Sequence, residues 1–139
     1  MILEKETKFW VKKVQTKEEQ ELFVDCLLEA HQYLLSKHMP LWTLEMLQTK
    51  LLFHEGVTGY LGYIGKEVAS TMLLCESDTE FWGEESEEDS AIYLHKFSVC
   101  RKFASTGIPD KMIDAACNIV RQMGKEYLRL DCRVNRPAL

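Results

Sequence analysis

Chain punctuation is scarce. Seven glycines and three prolines in 139 residues are too few for a collagenous, proline-rich or low-complexity chain. Long apolar runs are missing as well: no uncharged stretch approaches the roughly 18 to 20 residues a membrane span needs. The first eleven residues already hold Glu4, Lys5, Glu6 and Lys8, which is unlike an export signal. The expectation is a protein that does not meet the membrane and resides in the cytoplasm. Cysteine is present but lacks the spacing of a framework. Cys26, Cys75, Cys100, Cys117 and Cys132 are odd in number and include no Cys-x-x-Cys pair, so reduced thiols are expected, with no disulfide scaffold and no zinc or other metal. Repeats are absent. What remains, 46% hydrophobic and 28% charged residues, is the composition of a single globular domain spanning 1–139.

The net charge of −5 is concentrated in one place. Glu76 to Asp89 holds eight acidic residues and no basic one, leaving the rest of the chain at +3, and Cys100 to Leu139 carries eight basic against four acidic residues. A basic C-terminal third suits a small anionic ligand. Nucleic acid is not expected, because phosphate backbones are bound by concentrated basic faces and this chain is acidic overall. For any single residue, solvated surface is the alternative to both readings.

Thr7 to Val14 is β-branched and aromatic and reads as a first strand. Thr16 opens a helix to about Ser36, with Glu19 completing a capping box and Phe23, Cys26, Leu27, Ala30 and Leu34 on one face. After Pro40 a second helix is predicted, capped by Thr43, with Leu44, Leu47 and Leu51 as its stripe and Gly56 as its end. Val57–Ile64 and Val68–Cys75 flank Gly65-Lys66 as a hairpin. The acidic stretch follows as a loop in which Phe81-Trp82 packs back on the core or over a pocket. Ala91 to Cys100 is the next strand, and its alternation slips: Ile92 and Leu94 are in step, then Phe97 and Val99. Either a β-bulge or burial on both faces accounts for that slip. Ile108 to Met123 is an amphipathic helix with Ile108, Met112, Ala116, Ile119 or Val120 and Met123 aligned and Gly124 as its cap, and Tyr127 to Val134 is a last strand. Strand, turn, helix, strand makes a βαβ unit, so the last two strands should run parallel within a mixed α/β sheet.

Between the slipped strand and that helix lies Val99-Cys100-Arg101-Lys102-Phe103-Ala104-Ser105-Thr106-Gly107-Ile108-Pro109. A loop of small residues entering a helix presents unpaired N–H groups and a partial positive charge, which suit a phosphate or pyrophosphate. It has neither the lysine of a P-loop nor the glycines of a dinucleotide fingerprint. Together, Tyr93-Leu94-His95-Lys96-Phe97-Ser98-Val99, this turn, the helix and Leu128-Arg129-Leu130-Asp131-Cys132 resemble the core of the GNAT superfamily of acyl-CoA-dependent N-acyltransferases. The order of elements matches over nearly the whole chain.

The resemblance implies an α+β fold with a mixed, mostly antiparallel sheet and a parallel acyl-CoA unit. It implies transfer of an acetyl group from acetyl-CoA to a primary amine by direct attack, with no covalent enzyme intermediate. Backbone groups at Phe97, Ser98 and Val99 would meet the pantetheine arm, an N–H there would polarise the thioester, and amides of Ala104, Ser105, Thr106, Gly107 and Ile108 would hold the pyrophosphate. Asn135 would join the cofactor site. Of the family's characteristic turn residues only Gly107 is kept, and Pro109 has no N–H, so the hydroxyls of Ser105 and Thr106 are the candidate replacements. His95 is the candidate base that takes the amine's proton, the alternative being a histidine merely hydrogen-bonded in the sheet. Asp131 either orients the amine or pairs with Arg129 or Arg133. His31, His38 and His54 are expected at the surface or in caps, and Cys100 and Cys132 as small buried residues rather than nucleophiles. The acidic loop would favour a cationic acceptor, a small molecule or a protein amine. The family continues past the fifth strand with a helix and two strands where this sequence ends at Leu139, so either an open sheet edge relieved in a homodimer or a sequence cut short is expected. The alternative function is an impaired CoA-binding or interaction module that dimerises through that edge.

Overall fold

In the computed structural model, which describes residues 8–39, 42–77, 90–104 and 106–130, strand β1 (Phe9–Lys13) leads directly into helix α1 (Lys17–Ser36). Thr16 fixes the corner. Its Oγ1 accepts from the Glu19 N–H at 3.1 Å while the Glu19 carboxylate accepts from the Thr16 N–H at 2.9 Å, so two donors orphaned at the helix start are satisfied reciprocally. The other Glu19 oxygen pairs with Lys12 of β1. This hydrogen bond, with the N–H groups of Gln15 and Thr16, holds the Glu19 carboxyl down at about 2.

Two short turns follow, a 3-10 turn at Glu45–Leu47 and the single α turn α2 (Thr49–Leu52), before strands β2 (Val57–Ile64) and β3 (Glu67–Cys75) form the hairpin about Gly65-Lys66. Strand β4 (Ala91–Val99), a 3-10 turn at Arg101–Phe103, helix α3 (Ile108–Gln122) and strand β5 (Tyr127–Leu130) complete the described chain. The sheet has the order β1-β2-β3-β4-β5, antiparallel except for the parallel β4–β5 pair. Helix α3 stops in a Schellman motif: the Lys125 N–H reaches Val120 O at 3.1 Å and the Gly124 N–H reaches Arg121 O at 3.0 Å, with Gly124 at φ +77.

The period-two alternation of the strands divides the core into two layers. On one face Leu61, Tyr63, Leu73, Cys75, Ala91 and Tyr93 meet Phe23 and Leu27 of α1 together with Trp42, Leu47 and Leu52. On the other, Ala69, Met72, Leu74, Ile92 and Leu94 meet Ile108, Met112, Ala116 and Val120 of α3. Gly62 lets α3 sit close, since a Cβ there would lie 2.7 Å from Met112 Sδ and 3.1 Å from the Phe9 ring. Among the described residues no helix is long and apolar enough to cross a membrane.

Several expectations are corrected. The helix expected from Thr43 is broken at Gln48, whose extended backbone (ψ 142) separates the two turns. The break rotates the stripe, so that Leu47 and Leu52 are buried while Leu44 and Leu51 are 63% and 49% exposed. Thr43 still caps the first turn through Met46 N–H at 3.2 Å. Gly56 (φ +84) ends no helix; it lies in the turn just before β2. His31 is buried rather than on the surface, because it follows Leu27 by one turn on the packed face of α1. Met123 is exposed, since it is the C-cap of α3 and lies past the packed stripe. Cys100 is only half-buried, being placed just beyond the end of β4. Phe81, Trp82 and residues 131–134 of the expected last strand lie outside the described residues.

Candidate active site

The slip read in the sequence of β4 is a bulge. Leu73 pairs with His95 and Thr71 with Ser98, so Met72 alone faces the two residues Lys96 and Phe97. Lys96 takes φ +51, a left-handed conformation that costs a residue with a Cβ about 1 kcal/mol or more. The alternative reading of the slip also holds, one step earlier: Ala91 to Leu94 are buried on both faces. The last described β4–β5 pair is Leu94↔Leu130, two residues before the bulge. Tyr93, one pair before the end, is tied across the strands by an Arg129 Nη1 donor 2.8 Å from its hydroxyl.

Hydroxyls of β3 brace the bulge. Thr71 Oγ1 donates to the Lys96 carbonyl at 2.9 Å and lies 2.7 Å from Ser98 Oγ, and Ser70 Oγ donates to the Ser98 carbonyl at 2.7 Å. These side chains replace ladder bonds that the extra residue displaces. Behind them Cys26 Sγ of α1 lies 3.6 Å from Ser98 Oγ and 2.7 Å from Cys100 Sγ. The bond to Cys26 and burial push the Cys100 thiol up, while the same bond pulls the Cys26 thiol down. None of Ser70, Thr71 and Cys26 was singled out from the sequence for the site. The signal available was the adjacent pair Ser70-Thr71 inside an otherwise apolar strand, fully buried here.

Beyond the bulge the chain turns sharply. The Cys100 N–H bonds Ala69 O at 2.8 Å, and the Arg101 N–H donates to the Glu29 carboxylate of α1 at 2.7 Å, with the Arg101 guanidinium 3.9 Å over the Tyr33 ring. The Ala104 N–H is engaged by Arg101 O at 3.1 Å. Thr106 Oγ1 gives its proton to Phe103 O, so this hydroxyl is not the spare donor expected of it, because it carries one proton only. Gly107 caps α3 at φ +80, Ile108 opens the helix, and Pro109 falls within its first turn, where a missing N–H leaves no intrahelical bond unmade. Gly107 has open space about it, with no atom within 4 Å of where a Cβ would stand.

The structure thus brings Phe97, Ser98, Val99, Ala104, Thr106, Gly107 and Ile108 into one continuous path from the bulge to the start of α3. His95, half-buried and paired with Leu73, lies at its head on the α1 face of the sheet. Ser105, Asp131, Cys132 and Asn135 lie outside the described residues. A cavity of about 220 Å³ lined by His54, Thr58, Tyr60, Glu76 and Met123 opens at the other end of the sheet, next to the C-terminus of α3. Among the described residues no group of three His, Cys, Asp or Glu side chains is placed to hold a metal ion.

A bulged fourth strand, a turn into a helix N-terminus and a parallel β4–β5 pair make this the fold of the GNAT acetyltransferases. An acetyltransferase of the GNAT family from Staphylococcus aureus Mu50 superposes with a TM-score of 0.66 at 12% identity, covering 90% of this chain and 74% of that one. A predicted acetyltransferase from Clostridium acetobutylicum, solved with acetyl-CoA, gives 0.64 at 13% identity over 94% of this chain and 85% of that one. In sequence, 78 residues are 32% identical to the uncharacterized N-acetyltransferase YesJ of Bacillus subtilis (strain 168), 53% of this chain and 43% of that protein. The match therefore spans less than half the length of that curated relative. No protein-family model matches the chain.

Proposed function

We propose that this chain is a cytoplasmic N-acetyltransferase of the GNAT type, carrying the acetyl group of acetyl-CoA to a primary amine. The observation that carries the reading is the Lys96–Phe97 bulge, set just past the last described β4–β5 pair and followed eleven residues after Phe97 by the N-terminus of α3. The neutral amine attacks the thioester carbon, the new N–C bond forms as the C–S bond breaks, and the CoA thiolate leaves and takes up a proton. Negative charge gathers on the carbonyl oxygen during the attack, so a fixed N–H at the bulge stabilises that state more than the ground state. Backbone groups from Phe97 to Val99 would run beside the pantetheine arm. The N–H groups at Gly107 and Ile108 would face the pyrophosphate, aided by the positive end of the α3 dipole. His95 would accept the amine's proton, directly or through a water. The acidic run from Glu76 to Asp89 favours a cationic acceptor.

A second reading is a CoA-binding or interaction module without turnover. It is favoured by the turn itself, where the Ala104 N–H and the Thr106 proton are already used and Pro109 offers none. Calorimetric titration with acetyl-CoA, followed by CoA release against a panel of small amines and N-terminal peptides, separates the two. Micromolar binding with amine-dependent CoA release is expected. Binding with no release across the panel would select a CoA-binding module, and no binding at millimolar acetyl-CoA would overturn the acetyl-transfer reading and leave the interaction module.

A further inference from the structure

Five polar groups run in line from the end of β4 through α1 to the bulge: Cys100 Sγ, Cys26 Sγ, Ser98 Oγ, Thr71 Oγ1 and the Lys96 carbonyl, with spacings of 2.7, 3.6, 2.7 and 2.9 Å. Each thiol and each hydroxyl has one proton to give. A carbonyl only accepts, so Thr71 spends its proton on Lys96. Ser98 must then donate to Thr71, Cys26 to Ser98, and Cys100 to Cys26. The line has a single direction, and chains of this kind strengthen each member by polarisation. Its end point is the carbonyl of a residue held at φ +51, the one residue of β4 in the left-handed region.

The Lys96 carbonyl shares a peptide plane with the Phe97 N–H, and this peptide is trans, so the two point in opposite directions. Strand β4 lies between β3 and β5. Drawing the carbonyl onto Thr71 of β3 therefore turns the Phe97 N–H toward the β5 side, where described pairing has ended at Leu94↔Leu130. We infer that Thr71 is a positioning residue, whose hydroxyl holds the Lys96 carbonyl against β3 and thereby aims the Phe97 N–H at the thioester oxygen of acetyl-CoA. The inference rests on the acetyl-transfer reading above and adds to it which amide serves and what sets its direction.

Two measurements on the full chain test it. The first follows the Phe97 amide resonance of the ¹⁵N-labelled protein without ligand, in the native chain, Thr71→Val and Thr71→Ser. The second records the infrared carbonyl band of bound acetyl-CoA labelled with ¹³C at the thioester carbon. In Thr71→Val the Phe97 amide should shift or split, and the lowered carbonyl frequency seen in the native complex should return toward that of free acetyl-CoA. Affinity for acetyl-CoA should stay within about threefold, because the nucleotide is held elsewhere. Thr71→Ser, which keeps the donor, should restore both signals. Should Thr71→Val fail to fold with Ser98 left unpaired, Thr71→Val/Ser98→Ala removes both hydroxyls together and carries the same readout. A Phe97 amide unmoved by the loss of the hydroxyl, or a carbonyl band unchanged in the Val variant, overturns the inference. Failure of the native chain to bind acetyl-CoA would instead sink the acetyl-transfer reading, while the amide measurement still decides whether Thr71 sets the bulge.

Discussion

Lys96 is the residue at which sequence, strain and chemistry meet. A side chain with a Cβ in the left-handed region is uncommon, and here it sits at the bulge that the proposed reaction uses. Its ammonium lies 6.0 Å from the centre of the Trp42 ring, a contact weak enough that the backbone should dominate any substitution. Lys96→Gly should therefore be at least as stable as the native chain, whereas Lys96→Val, β-branched and forced into the same φ, should lose about 1 to 2 kcal/mol. Urea unfolding midpoints with unchanged slopes would show this, and a Val variant equal to the native chain would mean that the bulge relaxes to another register. The position of the bulge was legible in the sequence as the three-residue step from Leu94 to Phe97. What braces it was not. Hydroxyls 27 residues apart signal nothing until the register sets Thr71 opposite Ser98, and the engaged proton of Thr106 likewise depends on the 3-10 turn before it.

At the scale of the elements, local chemistry was readable and stripes in short helices were not. The capping box at Thr16 and Glu19, the hairpin about Gly65-Lys66 and the stop at Gly124 all depend on residues within a few positions of one another, which is why the sequence displays them. The segment after Pro40 departs from the helix drawn for it. Two turns are too short for a hydrophobic period to be decisive, and the break at Gln48 moves the buried position from Leu51 to Leu52. Leu52→Ala should cost about 2 to 5 kcal/mol and Leu51→Ala less than about 0.5; equal losses by chemical denaturation would restore the continuous helix. The cap has a pH signature of its own. Glu19 titrates near 4.5 when unfolded and at about 2 when folded, so its stabilising contribution is complete above about 4.5 and is lost as pH falls toward 2. Glu19→Gln keeps a capping-box acceptor but no charge. Its unfolding midpoint should change less between about pH 5 and pH 3 than that of the native chain, and matching slopes would remove Glu19 as the source.

For the whole molecule, the parallel β4–β5 pair follows from the βαβ pattern of the C-terminal third, and the two cores follow from alternation along the central strands. The remaining question at this scale is how the β5 side of the sheet is covered. Among the described residues β5 pairs on one side only, with β4, and its Tyr127 and Leu130 are 48% and 45% exposed. Apolar side chains on an unpaired strand edge favour association with a further strand, and a second copy presenting the same edge about a two-fold axis is the simplest partner. Light scattering at micromolar concentration should return twice the monomer mass. Leu130→Lys, which places a charge on the edge, should shift the chain to monomer. A native chain that is monomeric at every concentration would mean that the edge is covered from within the chain, and a Leu130→Lys dimer would mean that the copies meet elsewhere.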